Sequence, residues 1–217
     1  MEETNSYRNH ISETVLSRYE FVEVRNAAAI IAATNPDQWS EILGVLAAFK
    51  LSDEDILGAG KNKSDVAKRL DEAFRVVGWR EGRIDTRVLL RVQVTPYKSI
   101  GESWSEPWES IVESKGYKVD NFKKRLVLDV EWNAKDGNLD RDIGAYRALY
   151  DAGLIDAGIV ITRTQDDLRQ LAQAMRGDTT KFGTTTTTNL EKLRPRLLRG
   201  DGGGCPILAV AICSRTR

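Results

Sequence analysis

The run KRLVLDVEW, residues 124–132, most constrains what this chain can fold into. Leu126, Leu128, Val130 and Trp132 alternate with Val127, Asp129 and Glu131, the period-2 pattern of a β-strand. So much Leu and Val calls for a core position, yet one face of the strand carries two acids, about 7 Å apart at a separation of two strand residues. An unpartnered buried carboxylate costs several kcal/mol. Either cations neutralise the pair, or the strand is an exposed edge on which Asp129 and Glu131 pair with Lys123 or Arg125. The spacing alone leaves both open.

Around this strand the periodicities suggest a mixed central β-sheet flanked by helices, an α/β fold. The first third reads as helical: VRNAAAIIAAT (24–34), then NPDQWSEILGVLAAF (35–49) with Asn35 as N-cap and Pro36 opening the helix, then NKSDVAKRLDEAFRVVGW (62–79) with Ser64 as N-cap and Gly78 closing it. Residues 85–94 alternate as a strand, and 96–119, with two prolines and scattered Gly and Ser, read as a long loop. A helix over 139–153, a strand over 156–162, a helix over 165–177 and a strand over 206–212 complete the chain. We expect a single domain over 1–217, with a helical N-terminal region (1–57) and a core from 58 onward.

Several function classes drop out. His10 is the one histidine, which argues against Ser-His-Asp or Cys-His catalysis and against histidine zinc sites. GAGKNKS (58–64) fails as a phosphate loop because Asn62 stands where Ser or Thr must follow the lysine, so no nucleotide cofactor is expected. No apolar run reaches the length of a membrane helix, and the polar N-terminus is no signal peptide. Cys205 and Cys213, too far apart along one strand to bridge, read as free thiols, and a cytoplasmic location is expected. The 32 basic and 32 acidic residues cancel, but acids dominate before residue 57 and bases after 163, which allows a polyanion-binding face.

Asp120 lies at the start of the strand or in the turn before it. With Asp129, Glu131 and the Val130 carbonyl it would make a hard oxygen site suited to Mg²⁺. Such a metal would neutralise the acids, acidify water and stabilise charge on an attacked phosphodiester.

An Asp, an acid nine residues on, one spacer and a Glu, followed by a helix and the strand AGIVIT, resembles the PD-(D/E)XK nuclease core. It resembles in particular the BglII, BstYI and BamHI group of type II restriction endonucleases. GWREGRID (78–85) and KFGTTTTTNLEKLRPRLLRGDGGGCPILAVAI (181–212) resemble further stretches of that group, so the likeness covers about residues 60–212 and is loose over the first 57. The resemblance implies Asp120 and Asp129 as metal ligands, Glu81 as a further active-site acid, and Glu131 as ligand or water-orienting base in the place of the wider superfamily's Lys. Asp129 stands where Glu is more common in the group, and Val119 where Pro would be. Lys135 is a candidate substitute cation.

The resemblance places WNAKDGN (132–138) in the major groove, where Asn133, Lys135, Asp136 and Asn138 have donors and acceptors for base edges. Lys181 and the run Thr184, Thr185, Thr186, Thr187 would meet bases or phosphates, and Arg194 and Arg196 the phosphate backbone of any DNA alike. Lys61, Asn62, Lys63 and Ser64 before a helix are a further phosphate candidate. The implied protein is a Mg²⁺-dependent type II endonuclease that cuts double-stranded DNA at a short, GATC-centred palindrome and leaves 5′ overhangs. One acid cluster per chain calls for a homodimer, whose interface is expected on AAAIIAA (27–33) or the helix 139–153. A repair or structure-specific nuclease of the same fold, or a non-catalytic DNA-binding module, are the alternatives.

Overall fold

The acid-bearing strand forms as β5 (Leu126–Val130) and lies inside the sheet, not at its edge. A computed structural model describes residues 1–57, 65–176, 182 and 186–217. Seven strands are hydrogen-bonded in the order β1 (Glu3–Thr4), β2 (Tyr19–Val24), β7 (Ile207–Ile212), β6 (Ala157–Arg163), β5, β4 (Trp108–Lys123) and β3 (Arg80–Val92). β5, β6 and β7 run parallel, while β2 is antiparallel to β7 and β4 to β5. The parallel strands are buried on both faces, which is why AGIVITR and ILAVAI read as continuous apolar runs.

One face of these strands (Leu126, Leu128, Val130, Ile159, Ile161, Leu208, Val210) packs into a single apolar core with α3 (Ala27–Thr34), α4 (Pro36–Ala48), α6 (Asp65–Val76) and α8 (Asp166–Arg176). The other face carries Val127, Asp129 and Glu131, and is covered by α7 (Gly137–Asp151) and α9 (Leu190–Arg199). The bland alternative therefore fails: Lys123 pairs with Glu41 at 2.6 Å and Arg125 with Asp156 at 2.8 Å, and neither serves the two acids.

By compactness the chain divides into Met1–Glu81 with Val119–Arg217, and Gly82–Lys118. The second unit corrects the expected loop at 96–119, because from Trp108 onward the chain is strand. Arg87–Glu113 and Arg91–Glu109 pair across this hairpin at 3.6 and 3.9 Å. Val88, Leu90, Val92, Trp108 and Val112 are exposed on it. With charged residues on one face and solvent on both, the pattern of a buried strand is missing from the sequence.

Three further expectations change. The N-terminal region is not purely helical, since YEFVEV forms β2 beside β7. Its Glu23 is wholly buried and accepts the backbone N–H groups of Ala28 at 2.9 Å and Tyr7 at 3.3 Å, the positive end of α3 replacing a cation. Of the apolar stripes expected to form a dimer interface, Ala27, Ala28 and Ile31 of α3 and Leu139, Ile143, Tyr146 and Leu149 of α7 are buried within the protomer, while Ala29, Ile30 and Ala32 are half-buried and Ala33 is exposed. Asn35 precedes α4 without capping it; its amide instead donates to Asp156 at 3.0 Å. Both cysteines are free and buried. Among the described residues no helix is long and apolar enough to cross a membrane.

α7 can lie close to the sheet because β6 begins Ala157–Gly158. A Cβ on Gly158 would stand 2.1 Å from Cδ2 of Tyr146. Gly158→Ala should therefore lower stability by about 1–3 kcal/mol through overpacking, read from urea denaturation. It should also dislodge the Tyr146 hydroxyl, which holds Asp129 at 2.7 Å.

Candidate active site

Asp129 and Glu131 are 2 % and 3 % exposed, so each needs a physical account of its burial. Asp120 lies not at the start of β5 but on β4, the antiparallel neighbour, and its backbone N–H donates to Asp129 Oδ1 at 2.7 Å. The eight residues between the two acids are the end of β4, a turn at Lys124 and Arg125, and the start of β5, a hairpin that places the acids side by side. The Tyr146 hydroxyl lies 2.7 Å from Asp129 Oδ2 and 2.8 Å from the Ile159 carbonyl oxygen. One hydroxyl proton cannot fully serve both acceptors, and a proton on Asp129 resolves the shortage.

A fourth acid completes the group. Asp142 of α7 is 1 % exposed and comes within hydrogen-bonding reach of Glu131. Glu131 Oε2 and Asp142 Oδ2 are both buried with no donor from any other described residue, so the hydrogen bond open to them is a proton held between the two carboxyls. Arg141 Nη2 lies 2.8 Å from Asp142 Oδ1 and 3.9 Å from Glu131 Oε1, and Asn138 Nδ2 donates to Glu131 Oε1 at 3.4 Å. Asp142 was missed in the sequence although the signal was the one that flagged Asp129: Leu139, Asp142, Ile143 and Tyr146 share an inward stripe, and one of them is an acid.

Burial, reinforced by the charge of Asp142, raises Asp129 to about 7 against the N–H of Asp120 and the Tyr146 hydroxyl, which pull it down. The same two causes, in the same order, push Glu131 up to about 9. Burial also raises Asp142, opposed by hydrogen bonds from Glu131 and Arg141. The cluster keeps its acids by holding protons.

Among the described residues no group of three or more Asp, Glu, His or Cys stands gathered at metal-ligating distance. The donor chemistry nevertheless fits a hard divalent cation, since all donors are oxygens and two of those oxygens are buried with no donor from any other described residue. Asp129, Glu131 and Asp142 would hold it, with exposed Asp120 on the solvent side. Val130 packs its side chain into the core on the opposite face, which leaves only its carbonyl for such a site. Glu81 is exposed on β3 and, among the described residues, forms no hydrogen bond or ion pair with these acids. The acid that α6 brings to β4 is Asp71, buried and accepting from Asn121 Nδ2 at 3.0 Å. Lys135 is exposed, and the cation at the cluster is Arg141 instead.

The loop after β5 and the segment before α9 form one ribbon. Lys135 bridges Thr187, Thr188 N donates to the Ala134 carbonyl at 2.9 Å and Asp136 N to that of Thr186 at 3.0 Å. Asp136 is held by Lys192 at 3.7 Å and Arg196 at 3.4 Å, and Arg196 also pairs with Asp140 at 2.7 Å. These bases, Arg196 among them, are therefore engaged within the protein. Arg194 pairs with Glu3 at 2.7 Å. Lys61, Asn62, Lys63, Ser64, Lys181, Thr184 and Thr185 lie outside the described residues.

A mixed sheet flanked by helices, with paired acids on an interior strand, is the fold of a PD-(D/E)XK nuclease. The family model for restriction endonuclease BglII/BglIII matches residues 19–212, and the chain belongs to that family. It is accordingly a type II restriction endonuclease, a site-specific deoxyribonuclease that binds double-stranded DNA, in a class that generally uses divalent metal ions. No curated protein matches the chain.

The raised acids link stability to pH. Their folded-state values lie above the roughly 4 of an unfolded carboxyl, so the folded protein binds more protons in between. The stability they contribute is complete below about pH 4, and is lost as pH rises through about 7 for Asp129 and about 9 for Glu131. The thermal midpoint of the metal-free protein should fall between pH 5 and 8, and Asp129→Asn should flatten that slope. A slope unchanged in Asp129→Asn would remove Asp129 from the titrating cluster.

Proposed function

We propose that this chain hydrolyses double-stranded DNA in a Mg²⁺-dependent reaction at the Asp129, Glu131 and Asp142 cluster. The observation that carries the reading is the pair of buried carboxylate oxygens, on Glu131 and Asp142, that among the described residues no donor serves except a proton held between the two acids themselves. A divalent cation bound there supplies charge stabilisation at the phosphate and acidifies water. Asp129 and Asp120 act as its ligands, with Val130 through its carbonyl. Glu131 acts as ligand or as the base that orients water, and Tyr146 keeps Asp129 in place. Arg141, at the mouth of the cluster with a side chain 63 % exposed, is placed to meet a phosphate. Glu81 remains a candidate from resemblance alone.

Recognition belongs in this reading to the ribbon of 132–138 and 186–187, with Lys181, Thr184, Thr185 and the stretch Lys61–Ser64 as further DNA contacts. Asn138 and Asp136 support it from within, since one donates to Glu131 and the other is paired with Lys192 and Arg196. The target is a short palindrome, GATC-centred by resemblance and cut to 5′ overhangs. A homodimer cuts both strands, because each chain offers one such cluster. A soluble cytoplasmic enzyme of a restriction-modification system is the biological setting this implies.

Digestion of plasmid DNA with Mg²⁺ should give discrete fragments whose sequenced ends share one palindrome; a smear would indicate a nuclease without sequence choice. Asp129→Asn should slow cleavage by roughly a thousandfold or more, while DNA binding in Ca²⁺ changes far less. Asp142→Asn should slow cleavage by at least about tenfold. Near wild-type cutting by Asp129→Asn would displace the active site. Sedimentation with a short cognate duplex should show two chains per duplex, and a one-to-one complex that nicks one strand would overturn the dimer.

A further inference from the structure

Of the fourteen large apolar side chains exposed among the described residues, eleven lie in Gly82–Lys118, so the apolar surface left open is concentrated on the hairpin of β3 and β4. The two faces of that hairpin differ. Arg87 with Glu113 and Arg91 with Glu109 pair across the strands at 3.6 and 3.9 Å, which places all four charges on one face. By alternation the residues next to them, Val88, Leu90 and Val92 of β3 and Trp108, Ser110 and Val112 of β4, point to the other face. Over this stretch that face carries no charge, and its five apolar side chains are 39–57 % exposed. A two-stranded ribbon is marginal in water by itself, and one with an apolar face calls for a second surface to cover it.

Charge and area choose the cover. Gly82–Lys118 holds six bases and five acids, so it has no field to draw a polyanion, and DNA is a poor occupant. An uncharged face suits a copy of itself, because a two-fold contact sets each patch against the same patch and would bring like charges together if it had them. The face opens on the order of 500 Å² of apolar surface per chain, and two such faces together reach the roughly 1,000 Å² at which a specific interface begins. The stripes expected to join two chains are largely buried within the protomer instead.

We propose that the uncharged face of the β3–β4 hairpin, centred on Leu90 and Ser110, is the surface on which a second copy of this chain docks, hairpin against hairpin about a two-fold axis. The inference rests on the proposed homodimer and names the surface that joins it. The contact forms without DNA, since it buries apolar side chains and needs no phosphate.

Sedimentation of the full chain without DNA reads the contact, and the wild type should be a dimer. Leu90→Lys should weaken that dimer by about a hundredfold or more, because the two-fold axis makes each dimer bury the unpaired charge twice. Its circular dichroism should stay native, since Leu90 is exposed in the protomer. Leu89→Lys, on the charged face of the same strand, should leave the dimer intact. If Leu90→Lys does not fold, cross-linking decides. Both native cysteines are free and buried, so an introduced thiol on the hairpin is the accessible one among the described residues. Ser110→Cys should close into a covalent dimer at least about tenfold faster than Leu89→Cys. A wild type that is monomeric without DNA, a dimer that Leu90→Lys leaves intact, or equal cross-linking of the two cysteine variants overturns this inference alone. A Leu90→Lys protein that keeps the dimer but no longer binds DNA would make DNA the occupant instead. A wild type that also binds its cognate duplex as a single chain overturns the homodimer on which the inference rests.

Discussion

Asp129 and Glu131 face the same side of a strand buried in the middle of the sheet, and two such carboxylates cannot both stay charged there without help. Much of the surrounding structure supplies that help. The hairpin between β4 and β5 turns the backbone N–H of Asp120 toward Asp129. The tight approach of α7 at Gly158 lets the Tyr146 hydroxyl reach the same carboxylate. Arg141 lies over Asp142 and near Glu131 from the first turns of α7. None of these cancels the burial outright, so protons remain on acids that would be ionised in water.

The same problem is solved differently at Glu23, which is equally buried. There the carboxylate accepts two backbone N–H groups at helix starts and a serine hydroxyl. Its oxygens are fully served, and its role is to tie β2 to α1 (Tyr7–His10) and α3. The contrast separates a structural acid from a chemical one: both are buried, but Glu23 is served by donors of other groups, whereas Glu131 Oε2 and Asp142 Oδ2 have no such donor among the described residues. A reading that used burial alone would have ranked Glu23 beside Asp129.

Much of the core was legible because its strands are buried on both faces and its helices have one apolar stripe each. β5, β6, β7, α4, α7 and α8 follow directly from the spacing of Leu, Val, Ile and Ala. β2 and β4 were not legible, for one physical reason: their solvent-facing or paired positions carry Glu, Lys and Ser, which break the apolar count on which the strand pattern depends. Within the site, Asp129 and Glu131 stood out as acids in an apolar strand. Asp142 did not, because a helix spreads its inward residues over every third or fourth position and hides a single acid among polar neighbours.

Charge placement links the two halves of the proposed activity. The net charge is zero, and the bases nearest the ribbon, Lys192 and Arg196, are occupied by Asp136 and Asp140. On the proposed reading, attraction to the phosphate backbone falls to exposed bases such as Lys135 on the ribbon and Arg141 beside the cluster, while the rest of the ribbon would meet DNA with neutral hydrogen-bonding groups. The acid cluster behind it would repel phosphate if fully ionised. Protons on Asp129 and Glu131 blunt that repulsion, and on the proposed reading a divalent cation bound there would displace them. Cation binding and proton release would then be one event, and the proposed DNA-facing side would be least repulsive when the cation is in place.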